Sequence, residues 1–301
     1  MSNRVIVGSI TQMLVFVLAF SFSQTVQGQS PYIPPDLYSE TPGALYTFYE
    51  NQGQLLKTDG TPADEVLYYN LQGNPGIYVT EEARIANVAV EETSTDPYTL
   101  TYSRVDMYFK CLTGFAPCDV TPRPLEETDD HLNFYLGHIP EGRTHVKGYS
   151  RVLFESIYPG IDAHLYSNAA SPKTYLVCKP GSNPANILMK FEGHDQLSID
   201  AFGNLEMILG TQELVIPQAV AYEVDGNNQI TPLSWTPIFL NPGNGEVSFQ
   251  LGSYNPANTL VILMAQPYQQ QSSAPLPAQW STEFGGNITD NTTDVVTDHA
   301  G

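Results

Sequence analysis

The sequence predicts an all-β fold, a β-sandwich-like module. Short apolar or alternating runs recur between turn signals from Leu45 onward. The chain holds 18 Tyr, 23 Gly and 23 Pro; tyrosine favours strands, and glycine and proline mark the turns between them. No stretch combines helical periodicity with caps over three turns.

The elements follow in order. Arg4 and the apolar run Met13–Phe22, with small residues at Val26 and Gly28, read as a secretory signal over residues 1–28, the mature chain starting at Gln29. The run is short for a membrane anchor and ends in Ser, Gln and Thr, so no membrane span is expected after cleavage. Residues 29–43 are rich in Pro, Ser and Tyr and read as an extended linker. The β module occupies residues 44–266, as one unit or as two lobes meeting near Tyr166–Thr174. Strands are expected at Val66–Tyr69, Gly76–Thr80, Thr99–Phe109, Arg151–Phe154, Ile161–Tyr166 and Thr174–Lys179. Ala83–Val90 could be helix, but β-branched Ile85, Val88 and Val90 suit a strand equally. The runs "ILMKFEG", "QLSID", "NLEMILG", "ELVIPQ", "VAYEVDG", "LSWTPIFL", "EVSFQLG" and "TLVILM" complete the series. In "IDAHLY" the period of two puts Ile161, Ala163 and Leu165 towards the core and Asp162, His164 and Tyr166 outward. Residues 267–279, "PYQQQSSAPLPAQ", lack core formers and read as a second linker.

Charge narrows the partners. The formal net charge is −20, and loss of Arg4 with the signal makes it more negative still. Such a surface repels nucleic acid and anionic lipid and suits an exported protein. Surface polysaccharide or another surface protein is the partner class left open.

Several segments together carry a family resemblance. "FYENQGQ" includes Glu50, Asn51, Gly53 and Gln54; "YPGIDAHLY" includes Tyr158, Pro159, Gly160, Ile161 and Asp162. "YLVCKPGSNPANILMKFEG" includes Pro180, Gly181 and Gly193; "WSTEFGGN" includes Trp280, Gly285 and Gly286. In order and spacing they resemble the uncharacterised secreted β domain that precedes SBBP-type β-propeller repeats in bacterial exported and cell-surface proteins. The resemblance implies that residues 280–301 are the truncated first repeat of such an array. A single repeat cannot bury its own face, so this stretch is expected to be poorly ordered alone. The motif residues also read as turns and strand ends, and the resemblance brings no catalytic residue with it.

Cys111 and Cys118 bracket a segment that Gly114 and Pro117 can turn back on itself. In an oxidising compartment they form either a local disulfide, contributing roughly 2–3 kcal/mol, or two separate thiols. Cys178 reads as a small buried apolar residue. His131, His138 and His145 could share zinc or copper, but their spacing of seven does not converge on a strand. The acid pairs Glu81-Glu82, Glu91-Glu92, Glu126-Glu127 and Asp129-Asp130 read as solvated charge rather than a glycosidase pair. No nucleophile elbow, phosphate loop or dinucleotide fingerprint is present. The expectation is therefore no catalytic residue, no metal and no cofactor: a non-catalytic structural or adhesive module. The alternative is a carbohydrate-binding or carbohydrate-active domain, motivated by Trp235 and the tyrosine-rich strands.

Overall fold

The structure, a computed structural model, describes residues 47–57, 59–95, 98–111, 119–167 and 172–269. Strands take 61% of these residues, and no α-helix occurs among them, which confirms the all-β class. No helix among the described residues is long and apolar enough to cross a membrane. Residues 1–43, Cys118 and the stretch holding Trp280, Gly285 and Gly286 lie outside the described residues, with the expectations attached to them.

The first strands are β1 (Phe48–Glu50), β2 (Val66–Asn70), β3 (Gly76–Thr80), β4 (Ile85–Thr95) and β5 (Tyr98–Phe109). A long hairpin follows, β6 (Arg123–Leu136) and β7 (Ile139–Tyr158), then β8 (Ile161–Tyr166), β9 (Lys173–Cys178) and β10 (Met189–Glu192). The remainder comprises β11 (Gln196–Ile199), β12 (Leu205–Leu209), β13 (Gln212–Ile216), β14 (Val220–Val224) and β15 (Ile230–Pro232). β16 (Ile238–Gly243), β17 (Glu246–Gln250), β18 (Thr259–Ala265) and β19 (Tyr268–Gln269) close the series.

Fifteen strands make one antiparallel sheet in the order β15-β14-β18-β9-β8-β7-β1-β2-β3-β4-β5-β10-β17-β16, with β6 also paired to β7. β11-β12-β13-β19 form a second, smaller sheet. Tyr268–Gln269, within the stretch read as a linker, thus still pair with Leu214 and Val215. β7 joins the parts: along its twenty residues it pairs with β6, β1 and β8.

The main core shows how so long a sheet closes. Ala221 of β14 and Phe239 of β16, near opposite ends of the strand order, belong to one buried cluster with Val105, Phe154, Leu176 and Ile262. Met207 and Leu214 of the small sheet join the same cluster. The large sheet therefore curls until its inner faces meet, a sandwich-like solution to burying one face of every strand. A second cluster lies on the other face of β2–β4: Val66, Tyr69, Tyr78 and Val88 pack with Phe134 and Val146 of the β6–β7 hairpin. This is why all five residues of "GIYVT" are buried.

Two local readings change. Ile161, Ala163 and Leu165 face the main core as the alternation requires. Asp162 and His164 point the other way yet are fully buried, because that face of the sheet is covered too. Beside them, Tyr175, Val177, Val224 and Val261 form a third buried cluster. The histidine-rich segment, whose Gly137, Pro140 and Gly142 suggested interruption, is instead the tip of the long hairpin. Positive φ at His145 (59°) and Ser156 (55°) accompanies its breaks in register, and Glu126 (59°) lies just before another.

Candidate functional site

The motif residues gather at two places, and both are held by backbone contacts. The first is the loop after β1. Asn51 Nδ2 donates to the carbonyls of Ala63 and Val66, each at 2.9 Å, and Oδ1 accepts from Gly53 N at 3.1 Å. Gln54, buried, donates from Nε2 to Glu50 O at 2.7 Å and to Tyr69 Oη at 3.2 Å. Its Oε1 accepts from Gln52 N at 2.5 Å. Loops lack ladder partners, so buried loop amides need such side chains.

These bonds leave the Gln52 and Gly53 carbonyls facing the tip of the β6–β7 hairpin. Arg143 Nε donates to Gln52 O at 2.8 Å, and His138 Nε2 lies 3.3 Å from Gly53 O. Arg143 Nη1 also reaches Glu141 Oε1 at 2.8 Å, and that hydrogen bond lowers the Glu141 pKa. Between loop and hairpin is an open polar cleft of about 430 Å³, lined by Asn51, Gln52, Asp64, His138, Glu141 and Arg143 among others. Arg143 carries no signal in the sequence: nothing there tells that an arginine at a hairpin tip meets a loop ninety residues earlier.

The second place is the turn between β7 and β8. Tyr158, buried, points its hydroxyl at the carbonyls of Lys110 and Leu188, each at 2.9 Å, and accepts from Leu188 N at 3.0 Å. Ile161 enters the main core. Asp162 Oδ1 accepts from Ser156 N at 2.7 Å, filling the register break at the end of β7. Its Oδ2 pairs with Lys179 Nζ at 2.7 Å. Lys179 N in turn donates to Gly160 O at 2.8 Å, tying the turn after Pro159 to the Pro180-Gly181 turn. The four described motif glycines, Gly53, Gly160, Gly181 and Gly193, all adopt positive φ, between 73° and 98°. At Gly193 a Cβ would also stand 2.4 Å from Arg104 O.

The remaining candidates do not converge. His131 and His145 stack with ring centroids 4.7 Å apart, while His138 turns to Gly53. Among the described residues no group of three metal-ligand side chains comes together. Members of two of the acid pairs meet cations: Glu82 pairs with Arg84, Glu126 with Arg151, and Glu127 with Lys147. Asp106 and Glu192 are direct cross-strand neighbours. Arg104 takes Asp106 at 2.5 Å, and Arg84 takes Glu192 at 2.8 Å. Burial pushes the Glu192 pKa up, but hydrogen bonds from Arg84 and Tyr108 outweigh it and hold the group below its ordinary value. Held ionised in this way, Glu192 is not poised to donate a proton near neutrality.

Trp235 is a packing residue. Its Nε1 donates to Ser253 O at 2.8 Å, and its ring lies over Gly252, where a Cβ would come within 2.6 Å. Tyr69, Tyr78, Tyr108, Tyr158 and Tyr175 are buried, whereas Tyr135 and Tyr268 are exposed. The disulfide expectation for Cys111 and Cys118 falls in part outside the described residues.

Comparison with curated proteins and with solved structures finds no match. A family described as a domain of unknown function, DUF7948, matches residues 48–262, from the first residue of β1 into β18. The match spans most of the chain and nearly all of the β architecture, and so the chain belongs to the DUF7948 family.

Proposed function

We propose that this domain is a non-catalytic structural or adhesive module of an exported bacterial surface protein, placed ahead of SBBP-type β-propeller repeats. The observation that carries the reading is the use to which the motif side chains are put. Asn51, Gln54, Tyr158 and Asp162 spend their polar atoms on the chain's own backbone and on Lys179, as a scaffold requires. Export and the repeat array are supported by the signal-like N-terminus and by the "WSTEFGGN" segment. The full chain, expressed in a bacterial host and fractionated, is expected outside the cytoplasm with Gln29 as its first residue. An uncleaved cytoplasmic product would refute the export part.

A carbohydrate-binding reading is favoured by one observation, the polar cleft beside Asn51–Gly53, which holds both carboxylates and an arginine. A glycan array decides between the two. Binding that disappears in an Arg143→Ala variant which still folds supports the cleft; an empty array favours the scaffold.

A further inference from the structure

We infer that His164 is an acid-sensitive latch on the β7–β8–β9 face, one that stays shut while its imidazole is neutral and releases when the chain is acidified. His164 is fully buried in β8, between Leu153 of β7 and Tyr175 of β9 in the ladder. Neither ring nitrogen has a hydrogen-bond partner. Buried polar groups are nearly always paired, so the exception calls for an explanation.

The surroundings are hostile to a proton. Arg151 of β7, Lys179 after β9 and Arg123 of β6 are the charges that act on the ring, and all three are cationic. The carboxylates nearby are committed. Asp162 is taken by Lys179 and Ser156 N, Glu126 by Arg151 and Ser150, and Glu155 by Arg123. Tyr166 of β8 stands opposite Lys173 of β9, and Tyr175 closes the other side. An imidazolium here would meet no acceptor, and the three cations around it would repel it. Burial first, then these cations, push the folded His164 pKa down to about 3.

The direction follows by linkage. Unfolded, the ring titrates near its ordinary value of 6.5; folded, it stays neutral to about 3. The unfolded chain therefore binds the extra proton first as pH falls. Stability from the neutral ring is complete above about pH 6.5 and is lost as pH drops towards 3, roughly tenfold in the folding equilibrium per pH unit. Between pH 7 and pH 4.5 this one residue is expected to cost about 100-fold.

The test is denaturant unfolding of the full chain and of His164→Leu at pH 7 and pH 4.5. Other titrating groups contribute alike to both proteins. The parent is expected to lose about 100-fold more than the variant over that interval. Equal losses would overturn the inference. Should the variant not fold, imidazole carbon and nitrogen shifts of the parent decide. A ring still neutral at pH 5 upholds the latch, and titration near 6.5 sinks it.

Discussion

Tyr158→Phe isolates the role of one motif hydroxyl. The ring remains in the main core, so no apolar burial is lost and no cavity the size of a side chain opens. What goes is the hydroxyl that links the Lys110 and Leu188 backbones. Leu188 O keeps another donor, Lys110 N at 2.9 Å. Leu188 N loses the oxygen that accepts its hydrogen at 3.0 Å, and Lys110 O loses its contact with the hydroxyl at 2.9 Å. An amide left unsatisfied in the interior costs about 1–3 kcal/mol, so a loss of about 2 kcal/mol is expected. In urea, with a slope of about 2–3 kcal/mol per molar, the midpoint should fall by roughly 0.7–1 M while the slope stays constant. Denaturation followed by circular dichroism reads both quantities. A loss under about 0.5 kcal/mol would mean that the hydroxyl does not pin these strands, and the architectural reading of the motif would fail at its centre.

Three further outcomes follow from the same geometry. Asn51→Asp should destabilise more than Asn51→Ala, because it sets a carboxylate oxygen against the Ala63 and Val66 carbonyls that the amide now serves; thermal melts with the order reversed would contradict this. Gly193→Ala combines a φ of 98° with a Cβ 2.4 Å from Arg104 O, and should cost about 3 kcal/mol or more; a melting temperature unchanged from the parent would show that the contact relaxes freely. Cys178 is buried, and burial, then the charge of Asp162, pushes its thiol up to about 12; it should resist iodoacetamide at pH 8 in the native chain and react once the chain is denatured, as intact mass would record.

Much of the β architecture could be read from the residues. β3 and β8 occupy the stretches that alternation and turn residues predicted, β2 and β5 each gain one residue, and β9 is shifted by one. The β6–β7 hairpin could not be read in the same way. It carries acids, Gly137 at its turn, and Pro140 and Gly142 in β7, and its breaks in register between Glu127 and His131 and near His145 disturb the period of two that marks a strand. Asp162 and His164 illustrate a different limit. Alternation assigned them correctly to the face opposite Ile161, but whether that face meets water depends on neighbouring strands, which a local pattern does not encode. The motifs behaved likewise. "YPGID" located a turn, while the partner of its tyrosine, Leu188, stands thirty residues further on. Trp235 shows the same limit, since its half-buried indole packs on Gly252, seventeen residues further on.

Native-state hydrogen exchange tests the scaffold account most directly, at three amides that motif side chains accept: Gly53 N by Asn51, Ser156 N by Asp162 and Leu188 N by Tyr158. If these side chains hold the fold together, the three amides open only with the sheet around them. Their protection should then match that of core ladder amides such as Leu176 and Ile262. Exchange at the rate of freely exposed loop amides, with Leu176 and Ile262 still protected, would contradict the claim that the motif serves the architecture.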